Sequence, residues 1–266
     1  MTNGPRSFSD SFNQGTPQHI DYRARSTTMP APINEDDFFQ LDGFNASSMK
    51  QEEKGLIPQP ESASNYLGKA DSLSARLQVK DLPDDENCCL WITKIHPSAS
   101  MKDFLSTIRT GAIYAVSMSD AQGDYTTKAA KVVFKKHQSA ADFLRQVQKG
   151  RGVYINNLRM VGIWNRHGYR EATVETTRVL HLRGPIQYMD PDRWVEFFKT
   201  GITLVIEHTR DLPEHDPLMR SIEIRFCRVD GQAESGWYAV RKNKKMASII
   251  DCQYGPDPCD PYSGFV

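Results

Sequence analysis

The sequence has no hydrophobic run long enough to cross a membrane. A spanning helix needs about 18 or more consecutive apolar residues, and no stretch of this 266-residue chain approaches that length, although 39% of its residues are hydrophobic. The opening segment, MTNGPRSFSDSFNQ, also lacks the apolar stretch of a secretory signal. We therefore expect no membrane insertion and an intracellular location, in the nucleus or the cytoplasm.

Cysteine is scarce, and its spacing is irregular. The five cysteines are an odd number without the regular spacing of a disulfide framework, and they occupy positions 88, 89, 227, 252 and 259. A reducing compartment favours free thiols. We expect the five cysteines to be small buried or half-buried side chains. We predict no metal site and no cofactor.

The motifs of catalytic chemistry are also missing. No Gly-rich phosphate loop follows a predicted strand, and no GxSxG elbow occurs. The segment EHTRDLPEHDP (Glu207–Pro217) is rich in acidic residues and histidine, but its spacing matches no HExxH or zinc pattern. We expect a solvated acidic loop and no enzyme. Metal-dependent hydrolysis at this loop is a third, weaker hypothesis.

The net charge is zero, but the charge is distributed unevenly along the chain. Residues 1–85 carry 8 Lys and Arg against 13 Asp and Glu, residues 86–170 carry 13 against 5, and residues 171–266 carry 12 against 15. Only the middle segment is basic. A local positive field attracts polyanions, although lysines that serve only solubility would give the same composition.

The first 85 residues are rich in Ser, Asn, Gln, Gly, Pro and Asp and lack sustained helical or strand periodicity. Such a segment buries too little apolar surface to offset chain entropy, so we predict disorder over residues 1–85. Two patches in it, DDFFQLDGF (Asp36–Phe44) and SNYLGKADSLSARLQ (Ser64–Gln78), resemble short motifs that fold on a partner.

After this region, short apolar runs alternate with helical patterns. In residues 86–168 the pattern predicts strand, helix, strand, strand, helix and strand. The first helix begins after an N-cap at Ser98 or Ser100. The last two extended runs flank the turn signal Asn156-Asn157.

The same order recurs in residues 176–258, where Asp190 is the predicted N-cap of a helix. A repeat at this distance indicates two copies of one α/β unit. A short link near His167–Thr176 joins the copies, and residues 259–266 form a C-terminal tail.

Several segments resemble the RNA recognition motif (RRM) family. LWITKI is similar to the family's first-strand hexamer, with Lys94 where Asn is usual, and GAIYAVSM and INNLRMVGIW fit its second strand and final hairpin. In the second copy, VLHLRG is similar to domains of the polypyrimidine-tract-binding protein type, with His181 in the aromatic slot. The resemblance implies an α+β fold with two ferredoxin-like RRM domains, each a four-stranded antiparallel sheet with two helices on one face.

The third strands depart from the family pattern, K/R-G-F/Y-G/A-F-V-x-F/Y. The first unit has TKAAKVVF and the second has MRSIEIRF. Inward positions stay apolar, but the two outward positions that carry stacking aromatics in the family are Ala129 and Lys131 in the first unit and Ser221 and Glu223 in the second. The residues that usually read bases are therefore replaced, while the fold pattern persists.

The expected function depends on Trp91. Leu90 and Ile92 share one face of the predicted strand, so Trp91 lies on the other face, where the family stacks a base on an aromatic ring. Three interpretations stay open: stacking on RNA, coverage of Trp91 by protein, or a register error that buries it. The residues expected to bind RNA are Trp91, Thr93, Lys94, Ala129, Lys131, Val133, Arg159, Arg166, His181 and Arg225.

Basic residues near Trp91 are expected to meet phosphates, which predicts weak, salt-sensitive binding. They are Lys94, Lys128, Lys131, Lys135, Lys136, Arg159 and Arg166. In the second unit Glu223 would repel phosphates, so that unit either contacts a base through His181 and Arg225 or serves as a docking surface. Trp194, Phe197 and Phe198 are expected in its core.

The leading hypothesis is a protein of post-transcriptional regulation that binds single-stranded RNA weakly through the basic sheet face of the first RRM. The alternative is an adaptor whose RRM-like domains no longer contact RNA. Such an adaptor would hold its partner through Trp91 or the helices. A protein partner is also expected to bind through the N-terminal region or the second domain.

Overall fold

The computed structural model describes Phe38, Phe39 and residues 72–262. Within these residues, no helix is both long and apolar enough to cross a membrane. Most of the segment predicted to be disordered lies outside the described residues. The exceptions are Phe38, which is buried, Phe39 and residues 72–85. Within residues 72–85 the chain forms a short helix, α1 (Leu73–Leu77), and a strand, β1 (Gln78–Lys80), which corrects the predicted boundary of disorder.

The first unit has the predicted order of elements. They are β2 (Cys89–Ile95), α2 (Met101–Ser106), β3 (Ile113–Ser119), β4 (Lys128–Phe134), α3 (His137–Gln148), the hairpin β5 (Tyr154–Ile155) and β6 (Leu158–Arg159), and β7 (Val161–Trp164). The main sheet is antiparallel with strand order β3-β4-β2-β7. Apolar residues of α2 and α3 pack on one face of this sheet and form the core.

Local sequence signals explain several of these boundaries. The sequence predicted Ser98 or Ser100 as the N-cap of α2, and the N-cap is Ser100. The side chains of Ser100 and Asp103 form a reciprocal capping box. Asn156 and Asn157 both have positive φ, 48° and 64°, which is the backbone that a tight hairpin turn requires. The turn between β5 and β6 is therefore confirmed.

The second unit repeats this topology. Its elements are β9 (Val179–Pro185), a 3₁₀ turn (Ile186–Tyr188), α4 (Pro191–Gly201), β10 (Ile206–Leu212), β11 (Met219–Phe226), a distorted turn (Val229–Ala233), α5 (Glu234–Lys242), α6 (Lys244–Ile249) and β12 (Asp251–Tyr254). The sheet is antiparallel with strand order β10-β11-β9-β12. Asp190 caps α4 as predicted.

Two predicted boundaries in the second unit are wrong. Ala247–Ile249, predicted as the start of the last strand, ends helix α6 instead, because the Asn243 side chain caps that helix. The acidic segment predicted as a loop is strand up to Leu212, since β10 pairs with β11. Both units nevertheless have the β-α-β-β-α-β order and four-stranded antiparallel sheet of the RRM fold, and we call them RRM1 and RRM2.

The predicted link between the units is structured. It contains β8 (His167–Tyr169), which pairs antiparallel with β1. Beyond it, Arg178 is fully buried where the two units meet and donates hydrogen bonds to Asp257 at 3.0 and 2.8 Å. Asp257 also accepts a bond from the backbone of Ile113 in RRM1, at 2.8 Å. RRM1 and RRM2 therefore share a polar joint.

Cys259, in the predicted tail, is buried in the core cluster of RRM1. Its carbonyl accepts a 2.9 Å bond from the backbone of Gly111. All five cysteines are free and buried, as the sequence predicted. Burial is the first cause that raises the pKa of each thiol, to about 12, so these side chains are packing groups.

Candidate nucleic-acid interface

Trp91 lies on the sheet face of RRM1 opposite the helices. Leu90 and Ile92 belong to the core cluster under α2 and α3 and are fully buried, whereas Trp91 is half-buried and belongs to the other face. The interpretation that Trp91 is buried in the core by a register error is therefore wrong. Trp91 pairs in register with Lys131 of β4 on one side and with Ile163 of β7 on the other.

Part of this face is covered by the chain itself. We call α1, β1, β8 and the segment after β8 up to Val174 the RRM1 cover. Leu73, Leu77, Tyr169, Ala172 and Val174 of the cover pack in one apolar cluster with Cys89, Tyr114, Ala115 and Val133 of the RRM1 strands and with Val229 of RRM2. Val133 was expected to contact RNA but is only 3% exposed. The expected contact at Val133 needs removal of the cover.

Lys131 is half-buried beside the cover. Its Nζ lies 4.8 Å from the centroid of the Tyr169 ring, which is a cation–π contact. Tyr169 is 2% exposed, and its hydroxyl donates to Gln78 of β1 at 3.1 Å. Burial is the main cause that lowers the pKa of the Lys131 ammonium, and the charge of Arg228 adds to it. Lys131 therefore has a partner within the chain.

Asn87 fastens the cover to the first strand. Its Oδ1 accepts from the backbone N–H groups of Cys89 and Tyr169 at 2.8 and 3.2 Å, and its Nδ2 donates to the carbonyl of Asn165 at 3.0 Å. Gly168 lets β8 approach closely, because a Cβ there would lie 2.7 Å from the Cβ of Leu82. The cover is thus a packed part of RRM1.

The half of the face formed by β2 and β7 is less covered. We call Trp91, Thr93, Val161 and Ile163 the open half. Val161 and Ile163 are 42% and 55% exposed, and Trp91 and Thr93 are half-buried. Lys94 has a positive φ of 57° at a bulge between β2 and β4, and its side chain is exposed. Arg166 is also exposed. Arg159 is exposed too, but its guanidinium donates to the carbonyl of Gln148 at the end of α3 at 3.2 Å.

The other expected RNA contacts and phosphate-binding lysines have different surroundings. Ala129 is half-buried on β4. Lys128 donates to the carbonyl of Ala99 at 3.1 Å and pairs with Asp120 at 3.0 Å. Lys135 is 9% exposed and donates to the carbonyl of Val174 at 2.9 Å. Lys136 is exposed.

The corresponding face of RRM2 is occupied by an ionic network. The carboxylate of Glu223 is 2% exposed and accepts hydrogen bonds from Arg210 at 2.7 Å and Arg225 at 2.6 Å, and it contacts His181 Nε2 at 3.0 Å. Burial opposes ionisation, but the hydrogen bonds from His181 and Arg210 and the charge of Arg225 outweigh it and lower the pKa of Glu223 to about 2.

His181 and Arg225, which were expected to contact RNA, are thus brought together around one carboxylate. The side chains of His181 and Arg225 are 31% and 14% exposed. The backbone after β12 also passes close to His181, since a Cβ on Gly255 would lie 2.3 Å from His181 Nε2. A base that stacks on His181 would have to compete with these contacts.

Carboxylates of the acidic segment are engaged in ion pairs. Glu207 pairs with the buried Arg178, Asp211 with Arg220, and Glu214 with Arg183. Among the described residues, no group of His, Cys, Asp and Glu has the arrangement of a metal site. Three carboxylates of the segment thus have arginine partners within RRM2.

Sequence reasoning missed Tyr169, Asn87 and Arg178. Tyr169 lies in a polar link with no strand periodicity, and its partner strand β1 lies in a segment predicted to be disordered. Arg178 is one of many arginines, and no local pattern distinguishes a buried one. Their roles depend on contacts between distant parts of the chain.

Comparisons with known proteins support no closer assignment. No family model matches the chain, and a search of curated proteins found no match. Similar solved structures include domains 1 and 2 of Sex-lethal from Drosophila melanogaster, with 13% identity, a TM-score of 0.24 and coverage of 64% of this chain and 100% of that chain.

Two yeast structures are also similar. For the first two RRM domains of the poly(U)-binding protein Pub1 the identity is 11%, the TM-score 0.26 and the coverage 63% of this chain and 98% of that one. For RRM domains 1 and 2 of Prp24 from S. cerevisiae the identity is 14%, the TM-score 0.28 and the coverage 64% of this chain and 96% of that one. At such low TM-scores the likeness carries no functional argument, and the RRM assignment rests on the strand order of this chain.

Proposed function

We propose that the chain binds single-stranded RNA through the open half of RRM1, with Trp91 as the stacking residue. The observation that carries this proposal is the position of Trp91, which lies half-buried on the non-core face between Lys131 and Ile163. A base stacked on an aromatic side chain contributes about 1–3 kcal/mol. Exposed Lys94 and Arg166 supply positive charge for phosphates, whereas the Arg159 guanidinium is bonded at the end of α3.

The cover limits the proposed interface to a small area. Val133 lies under it and Lys131 contacts Tyr169, so few residues are left to read bases. RRM2 contributes little, because Glu223 holds His181, Arg210 and Arg225. We therefore expect weak, salt-dependent RNA binding with limited sequence preference. A role in post-transcriptional regulation, in the nucleus or the cytoplasm, stays a prediction. The likeness of RRM2 to domains of the polypyrimidine-tract-binding type also stays a prediction.

The test is binding of pooled single-stranded RNA to the full chain at low salt. Trp91→Ala is expected to weaken binding by about 5-fold to 150-fold, the equivalent of one lost base stack. Trp91→Phe, which keeps an aromatic face, should retain most of the affinity. Tyr154→Ala removes an aromatic ring that is 51% exposed on β5 and serves as the matched control. Equal binding by the parent and Trp91→Ala would overturn the proposal.

A second candidate function is protein docking on the same surface. β7 is an edge strand of the RRM1 sheet, and its exposed Val161 and Ile163 give that edge an apolar side. In this case the parent chain would fail to bind pooled RNA at low salt, and Ile163→Lys would release the protein partner. Under the RNA proposal, the parent chain binds pooled RNA at low salt and Trp91→Ala weakens that binding.

A further inference from the structure

An N-terminal phenylalanine pair packs on the helical side of RRM2. Phe38 is fully buried, and its ring is stacked on Tyr188 at a centroid distance of 4.4 Å and an angle of 18°. Phe38 also meets the edge of Trp194 at 6.3 Å. Full burial of a residue so distant in sequence from RRM2 means that RRM2 holds a site for it.

Phe39 completes the contact. Its ring lies 5.2 Å from Trp194 and 6.1 Å from Phe197, in edge-type arrangements that aromatic pairs prefer. The guanidinium of Arg193 lies 5.8 Å from the Phe39 centroid, within cation–π range. Two adjacent side chains of the N-terminal segment therefore contact four side chains of RRM2.

The site is built from the 3₁₀ turn and α4. Trp194 Nε1 donates to the carbonyl of Tyr188 at 2.9 Å, which fixes the two aromatic walls relative to each other. α4 reaches the sheet through Phe198, whose ring lies 5.6 Å from that of Phe226. Trp194 and Phe197 were expected in the core of RRM2. They are buried, and they also contact the ring of Phe39. We call Tyr188, Arg193, Trp194 and Phe197 the aromatic site.

The sequence around the pair matches the charge of the site. Asp36 and Asp37 immediately precede Phe38, and Arg193 is the cation at the aromatic site. Residues 40–71 separate the pair from the described start of RRM1. A short acidic and aromatic segment at the far end of such a connection has the form of a tethered peptide ligand.

We propose that the aromatic site of RRM2 is a peptide-recognition site for acidic segments that contain two adjacent phenylalanines, and that Phe38 and Phe39 are its ligand within this chain. The proposal is independent of the nucleic-acid interface on RRM1. A tethered peptide has an effective concentration on the order of millimolar. The segment therefore stays bound in cis even when the free peptide binds only moderately, and the same peptide added in trans competes for the site.

The test uses the full chain with Phe38→Ala and Phe39→Ala, together with a fluorescent peptide of sequence NEDDFFQLDGF, which is residues 34–44. Fluorescence anisotropy should show saturable binding to this double variant. The parent chain, whose site is already filled, should bind the peptide at least about 10-fold more weakly. A peptide with both phenylalanines replaced by alanine should not bind.

Two further variants keep the test decisive. Arg193→Glu in the double-variant background should weaken binding of the acidic peptide several-fold, and more at low salt than at high salt, because it reverses the positive charge beside Phe39. Tyr262→Ala, which removes a ring that is 89% exposed, should change nothing. Equal binding to parent and double variant, or no saturable binding to a folded double variant, would overturn the proposal.

Discussion

The chain itself covers part of the sheet face of RRM1 and part of the sheet face of RRM2, but by different means. On RRM1 an apolar cover packs over Cys89 and Val133 and leaves the open half beside it. On RRM2 one buried carboxylate, Glu223, collects the cationic side chains of the face. The apolar cover protects only the strands of RRM1 that it contacts, whereas the ionic network lies in the middle of the RRM2 sheet. The same fold therefore offers a partly available aromatic ring in one unit and mutually satisfied charges in the other.

The largest expected effect tests the joint that holds the two units together. Asp257→Ala removes the carboxylate that pairs with fully buried Arg178 and accepts from Ile113 of RRM1. Arg178 keeps Glu207 as its second ion-pair partner, but its Nε and Nη2 groups and the Ile113 N–H lose their acceptor at a buried site, and each such loss costs about 1–3 kcal/mol. Urea unfolding should show this decrease in the free energy of unfolding. Asp211→Ala breaks an exposed pair with Arg220 and should cost less than about 1 kcal/mol. Equal costs for the two variants would contradict the assigned joint.

The next effect tests the ionic face of RRM2 by pH. The pKa of Glu223 is about 2 in the folded chain and about 4.3 in an unfolded one. A depressed carboxyl pKa contributes stability that is fully present above the unfolded value and is lost as the pH falls towards about 2.

Glu223→Gln should therefore cost on the order of 3 kcal/mol near neutral pH and progressively less below about pH 4.5. Urea unfolding of parent and variant at pH 6, 4 and 3 measures this difference, in which the titration of other groups, such as Glu214, cancels. A difference that stays constant with pH would show that Glu223 does not titrate as described.

A smaller effect tests the apolar cover of RRM1. Tyr169→Leu removes the ring beside Lys131 and the hydrogen bond to Gln78 but keeps an apolar side chain. We expect a loss of about 1–2 kcal/mol in the free energy of unfolding. Hydrogen exchange of the amides in β1 and β8 should also be faster. Tyr154→Leu, which replaces an exposed ring, is the control. If Tyr154→Leu lowered the free energy of unfolding as much as Tyr169→Leu, the contacts of Tyr169 would have no special role in stability.

The smallest expected effect concerns Lys131 in RNA binding. Because Lys131 contacts Tyr169 and is half-buried, Lys131→Met should change the affinity for pooled RNA by less than about 2-fold. Arg166→Met, at an exposed cation, should reduce the salt dependence of binding by about one unit of slope. A loss larger than about 5-fold for Lys131→Met would mean that RNA displaces the cover.

Much of the fold was predictable because its signals are local. The apolar periodicity of β2 placed Leu90 and Ile92 in the core, the Asn156-Asn157 pair fixed a hairpin, and Asp190 capped a helix. Each of these depends on residues within a few positions of one another. The repeat of the same order of elements then gave the RRM topology.

The candidate site was predictable only in part. Alternation along the strand located Trp91 on the non-core face, but it could not show that Val133 on the same face is buried. The cover comes from α1 and β1, in a segment whose composition predicts disorder, and from a polar link. Short elements such as these are stabilised by the surface on which they pack, and their own sequences carry little signal.

The sequence by itself determined the number of units, the order of their elements and the face on which Trp91 lies, since hydrophobic periodicity encodes which side of an element is buried. Only the tertiary structure decided which outward residues have partners. Tyr169 beside Lys131, Glu223 among its cations and Phe38 against Tyr188 are contacts between distant segments. Such contacts depend on how whole elements pack, so no local spacing of residues encodes them.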